Sequence, residues 1–162
     1  MATGRTIKKY VYMVIEDSGG TMRNLVMTEC PDIGFTDDIV DVSAISDAIR
    51  KKFTGQSDFS VTITFPFSDG AAVAASSSGT APAESGAHTI LSALTGGVTA
   101  KSFGIYFGMQ HNWTTGDPVF GGIDTILVSN YKVNGTTCSA TFSYAGNAAA
   151  ALAWGAAAIT AS

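Results

Sequence analysis

The sequence predicts a mostly-β fold: an antiparallel barrel or sandwich of about six to seven strands with one short flanking α-helix. Three observations predict it. Asp58 to Ser68, DFSVTITFPFS, puts Phe59, Val61, Ile63, Phe65 and Phe67 at alternate positions, with polar or small residues between them except Pro66. A strand sends alternate side chains to opposite faces, so these five groups form one wall of a core. Lys101–Gln110 and Thr136–Tyr144 repeat the same alternation. Against these strands stands one compact helix signal, Glu84 to Gly97, with Ala87, Ile90, Leu91 and Leu94 on a single stripe.

Lys8 to Glu16 reads as a strand that is apolar on both faces, with Tyr10, Tyr12 and Val14 on one and Val11, Met13 and Ile15 on the other. Such a strand is covered on both sides, within the domain or by a neighbouring subunit. Ser18-Gly19-Gly20 marks a turn, and Arg23–Thr28 a return strand. Pro31 and Gly34 break the regularity of the next segment. Asp37, Asp38 and Asp41 read as a solvated loop, since they lack the Gly and terminal Glu of a calcium loop. Ser43–Phe53 has the spacing of a short helix, with Arg50, Lys51 and Lys52 in its last turn, and reads equally as a long assembly loop.

In the central strand, Pro66 has no N–H for a ladder and belongs at a sheet edge or bulge. The Ala/Ser/Gly-rich segment 69–82 is low in complexity. In the helix, Ser85 is the expected N-cap and Gly96-Gly97 the stop. So short a helix needs the sheet beneath it. His111–Pro118 is a polar turn, and Gly121-Gly122 a bulge or close backbone contact. Ile123–Val133 and Thr136–Tyr144 flank Asn134-Gly135, the signature of a type I′ hairpin turn. The return strand turns Cys138, Ala140, Phe142 and Tyr144 to one face and Thr137, Ser139, Thr141 and Ser143 to the other. Residues 1–155 are taken as one domain and 156–162 as an Ala-rich tail.

Composition narrows the function. Charged residues make up 14% of the 162, against about 25% in ordinary soluble domains. A surface this poor in charge is expected to be covered in part by another protein, which points to self-assembly. The net charge of −4 argues against a duplex-binding module, which needs a basic stripe. No signal peptide or membrane-length apolar run is read, so synthesis in the cytoplasm and free thiols at Cys30 and Cys138 are expected. His88 and His111 have no metal-ligand partner at the right spacing. No phosphate-binding glycine loop and no GxSxG elbow is present. The expectation is no enzyme, no metal and no cofactor.

The order of motifs carries a resemblance. GQSDFSVTITFPF is followed by GAHTILSAL, an alternating strand, a polar turn ending in GDP, the run ILVSNYKVNGTTCSATFSYAG and a late Trp154-Gly155. Over roughly Arg23 to Gly155 this resembles the tail tube (major tail) proteins of long-tailed bacteriophages. It resembles more loosely the capsid decoration proteins that reuse a small barrel with one helix. The resemblance implies a virion structural protein, made in the host cytoplasm, whose hexameric rings stack into a hollow tube. Its partners would be copies of itself and other virion proteins, with DNA only in transit and no membrane. It implies lumen-facing candidates at Asp58, Ser60, Thr62, Thr64 and Asp124. Candidate assembly contacts are Tyr10, Tyr12, Asp37, Asp38, Lys51 and Lys52, within the regions that include Pro31–Gly55 and the 70–83 insertion. The alternatives are a decoration (cement) protein on a preformed shell, and a small carbohydrate-binding β domain with an exposed Trp113 as its stacking residue.

Overall fold

The computed structural model describes residues 10–41, 43, 52–73, 84–109, 111–145 and 152–161. In chain order they form β1 (Val11–Glu16), β2 (Met22–Leu25), β3 (Thr36–Asp41), β4 (Lys52–Asp58), β5 (Ser60–Pro66), α1 (Ala87–Leu94), β6 (Lys101–Phe107), β7 (Val119–Asn134), β8 (Thr137–Tyr144) and β9 (Ala153–Gly155). The fold is mostly β, as the alternation implies. Seven antiparallel strands make one sheet in the order β2-β1-β6-β7-β8-β5, with β9 added to β7. Among the described residues α1 is the single helix, and β3 and β4 form a separate two-stranded sheet.

The sheet curls because its apolar face must meet itself. Met13, Ile15 and Leu25 from one end of the strand order join Val61, Ile63 and Phe65 from the other in one buried cluster with Phe103, Phe120 and Phe142. Burying each such side chain stabilises the fold by about 1.5–3 kcal/mol. One backbone bond bridges the two sheet edges: Thr28 N–H donates to the Thr64 carbonyl at 2.9 Å. Helix α1 lays Ala87, Ile90, Leu91 and Leu94 into the same cluster, which is the stripe its spacing predicts. Its N-cap is Gly86, not Ser85. A Cβ at Gly86 would strike the backbone of Gly70, and the Ser85 hydroxyl instead bonds both the N–H and the carbonyl of Val73.

The central stretch is shorter than its pattern suggests. Asp58 closes β4, β5 begins at Ser60, and the strand stops at Pro66, on the outermost strand where a missing N–H is tolerated. Phe67 is therefore off the wall and exposed; its backbone N–H bonds Thr136 O, and its ring lies 5.1 Å from His88. The helix expected over 43–53 fails at its end, where Lys52 and Phe53 pair with Asp41 and Val40 in a hairpin, while 44–51 lie outside the described residues. Hairpin pairing overrides the weak helical spacing there. Asp37, Asp38 and Asp41 accordingly stand on a strand rather than a loop.

The β7–β8 turn is also corrected. Asn134 still pairs with Thr137, so the two loop residues are Gly135 and Thr136. Positive φ falls on Gly135 alone of the turn, at +63°, the pattern of a type II′ turn with glycine first. Gly121 is a close backbone contact, since a Cβ there would strike the Phe103 carbonyl.

Strand β1 is covered on both faces by its own chain. Its outward Tyr12 and Val14 pack with Tyr106, Trp113 and Val119, and Ala158 and Ile159 close over them. The Ile159 N–H donates to the Tyr106 hydroxyl at 2.9 Å, and Gly116 N–H to Ala156 O at 2.8 Å. Residues 156–159, set apart as a tail on composition, thus pack on the barrel. Trp113, which the carbohydrate-binding alternative needs exposed, is 1% exposed. Its indole N–H donates to the carbonyls of Asp117 and Pro118 at 3.1 and 3.2 Å, and the Asp117 carboxylate accepts from Thr114 N–H at 3.1 Å. The 111–118 turn is a lid over the outer cluster.

Candidate functional site

Two surfaces collect the residues singled out from the sequence. The first is the outer face of β5 and β8, with part of β7. Alternation in β5 exposes Ser60, Thr62 and Thr64 while Val61, Ile63 and Phe65 go inward. Register then sets Ser60 opposite Ser143, Thr62 opposite Thr141 and Thr64 opposite Ser139. The hydroxyls of the first two pairs meet at 3.3 and 3.0 Å. On the far side of β8, β7 continues the rows with Leu127, Ser129 and Lys132. The result is a hydroxyl-lined face three strands wide whose only basic group among those rows is Lys132. Such a face offers hydrogen bonds but little fixed charge, so it grips neither phosphate nor cation strongly.

Asp58 lies two residues before Ser60, at the foot of β4, exposed, with its carboxylate accepting from the Phe59 N–H at 2.8 Å. Asp124 does not join this face. It sits at an irregularity of β7 beyond the pairing with β8, with φ +52° and its N–H donating to the Ser102 hydroxyl at 3.2 Å.

The second surface is the β3–β4 arm. Thr36 to Ile39 and Asp41 are exposed, so β3 shows both faces to solvent, unlike β1, β5, β6 and β8. Asp38 falls at a register shift in its pairing. Two hydrogen bonds from Ser43 to the Asp41 carboxyl hold it below its usual range. A lone two-stranded hairpin is marginal in water. Of the expected contacts, Asp37 and Asp38 lie on this arm. Lys52 opens β4, while its side chain and Lys51 lie outside the described residues. Tyr10 is half-buried, its carbonyl accepting from Gly108 N–H. Tyr12 is a correction: it is buried in its own chain with its ring 5.1 Å from Tyr106, and burial, helped by Tyr106, pushes its hydroxyl up to about 12.

Nothing in the described residues gathers reactive groups. No cluster of three or more His, Cys, Asp or Glu could hold a metal ion there. Burial raises the Cys30 and Cys138 thiols, which keeps both protonated near neutral pH. His88 Nδ1 meets the Tyr131 hydroxyl at 2.7 Å, joining α1 to β7. No helix among the described residues is long and apolar enough to cross a membrane.

Sequence reasoning found half of the hydroxyl face and missed its partners as site residues. The alternation of Ser139, Thr141 and Ser143 was visible, but pairing them with β5, sixty or more residues away, is a matter of register. Lys132 gave no signal, because an asparagine with positive φ at 130 shifts the register just before it.

The fold and these surfaces define a curled antiparallel β protein with a projecting arm and a hydroxyl-lined flank. No protein-family model matches the chain, and no curated protein is similar enough to it to be called a relative.

Proposed function

We propose that this chain is a bacteriophage virion structural protein, a tail tube subunit that polymerises into stacked hexameric rings around a DNA conduit. The observation that carries the reading is the β3–β4 arm: a strand pair, exposed on both faces of β3, that belongs to no larger sheet among the described residues. An arm of this kind is stabilised when a neighbouring copy covers it. The hydroxyl face supports the second half of the reading. Ser60, Thr62 and Thr64 with Ser139, Thr141 and Ser143 make a wall that a polyanion passes without sticking. Asp124 is not part of that wall in this proposal, whereas Asp58 borders it.

The decoration-protein alternative uses the same arm on a preformed shell. The carbohydrate-binding alternative loses its stacking residue, because Trp113 is buried. Negative-stain microscopy of the purified chain separates the readings. Rings or tubes are expected; free trimers or monomers that bind only to capsids would favour decoration. Removing residues 44–50, which lie in sequence between β3 and β4, is expected to leave a folded protein that no longer polymerises, and unchanged tubes would refute the role given to the arm.

A further inference from the structure

The flank of the barrel that residues 152–159 seal has the parts of a binding site for an extended segment. The edge of β7 takes β9, with Val119, Phe120 and Gly121 opposite Gly155, Trp154 and Ala153. Beyond β9 the strap stays pinned: Gly116 N–H donates to the Ala156 carbonyl at 2.8 Å, and Ile159 N–H to the Tyr106 hydroxyl at 2.9 Å. Two side chains anchor it. Leu152 is buried in the core cluster, and Ile159 sits at Gly104. A Cβ at Gly104 would stand 3.0 Å from Ile159 Cγ1 and 3.5 Å from Val119 Cγ2, so the absent side chain is the notch that Ile159 fills. Main-chain bonds along a sheet edge, with pockets for chosen side chains, are how such edges capture peptides. Among the described residues, the hydrogen-bond and ring partners of the strap all lie on β6, β7 and the 111–118 turn. The strand the strap hangs from, β8, supplies none of them.

We infer that this flank is an acceptor for the strap of a neighbouring copy, and that residues 152–159 change partners between copies when the protein assembles. The seated segment itself selects the occupant. What fills the notch and the β7 edge is this chain's own sequence, which every copy carries. Exchange of identical segments preserves every strap contact and adds a covalent tie from one copy to the next, so its net cost is low. In dilute solution the tether favours the chain's own groove, at an effective concentration on the order of millimolar, and only copies packed side by side match that value. From Ala145 to Leu152 the chain reaches at most about 25 Å, which bounds the distance to the neighbour's groove. The inference rests on the tail-tube reading for the packing of copies, and adds to it the segment that ties them together.

The test is a disulfide that reports whose strap a groove holds. A Cβ at Gly104 lies 3.6 Å from Ile159 Cβ, within the span a disulfide bridges. Gly104→Cys and Ile159→Cys are combined in the full chain, with Cys30→Ser to remove the half-buried native thiol. Circular dichroism and urea unfolding check the fold. Oxidised while dilute, the variant is expected to close within one chain. Oxidised after assembly, it is expected to run as linked chains on non-reducing gels. The dilute, locked form is expected not to assemble until reductant is added. Should Gly104→Cys not fold, Val119→Cys with Gly155→Cys, opposite each other in register, gives the same readout. Assemblies whose cross-links all lie within single chains overturn the exchange and leave the tail-tube reading intact. Locked chains that assemble like wild type do the same. Linked chains that form neither rings nor tubes uphold the exchange and overturn the tube. Wild-type protein that stays monomeric at high concentration overturns both.

Discussion

Replacing Trp113 with alanine separates a structural tryptophan from a ligand-stacking one. The indole is almost wholly buried, 4.7 Å from the Tyr106 ring, and its N–H is shared by two carbonyls. Tryptophan-to-alanine changes in cores cost about 3–5 kcal/mol. The Pro118 carbonyl keeps the Phe107 N–H, so the hydrogen-bond penalty is concentrated on Asp117, within that range. A domain of this size is stable by about 5–15 kcal/mol, so the variant should lose roughly a fifth or more of its stability. At about 2–4 °C per kcal/mol the melting temperature should fall by roughly 6–20 °C. Urea unfolding below the concentration of assembly measures the loss. The remaining tryptophan, Trp154, should emit at the long wavelength of a solvated indole in the folded variant. A loss under about 1 kcal/mol would refute the placement of Trp113 under the 111–118 lid.

Three further outcomes are expected. Burial alone would raise the Asp17 carboxyl, but bonds from Thr21 and Gly19 N–H and from Arg23 at 2.7 Å hold it below its usual value of 3.8. A depressed carboxylate stabilises the fold above its unfolded pKa and loses that contribution as pH falls through the folded one. Asp17→Asn should therefore be less stable than wild type at pH 7, with the gap closing below about pH 4; a gap independent of pH between 2 and 7 would contradict this. Tyr12 and Tyr131 are raised to about 12, and burial raises Tyr106 as well, so absorbance at alkaline pH should show tyrosines that ionise only well above pH 10. A single titration near 10 would be the contrary result. Thr62→Lys on the hydroxyl face should leave stability within about 0.5 kcal/mol of wild type, yet make assembled protein retain duplex DNA in a filter assay at low salt. Variant assemblies that release DNA as readily as wild type would count against that face as the lumen wall.

The parts of the fold that were legible in the sequence are those where a local period decides the outcome. The alternation of Val61, Ile63 and Phe65, the helical stripe through Ile90, Leu91 and Leu94, and the two-sided strand at Tyr12–Ile15 all appear as read. What the sequence hid depends on pairing between distant segments. Lys52 and Phe53 look helical until Val40 and Asp41 lie beside them. Trp113 looks like an exposed loop aromatic until β1, β6 and Ile159 surround it. The candidate faces follow the same rule. Ser60, Thr62 and Thr64 were legible from their own strand, whereas the place of Asp124 apart from their rows depends on the positive φ at an irregularity of β7, which no local period announces.

The clamp of Ala158 and Ile159 over Tyr12, Val14 and Tyr106 joins the earliest described strand to residues translated after every strand described. Until those residues leave the ribosome, one flank of the nascent barrel stays bare and greasy. Maturation of the subunit is thereby timed to the completion of this stretch, and chains interrupted before it would carry a sticky flank that chaperones and proteases can recognise.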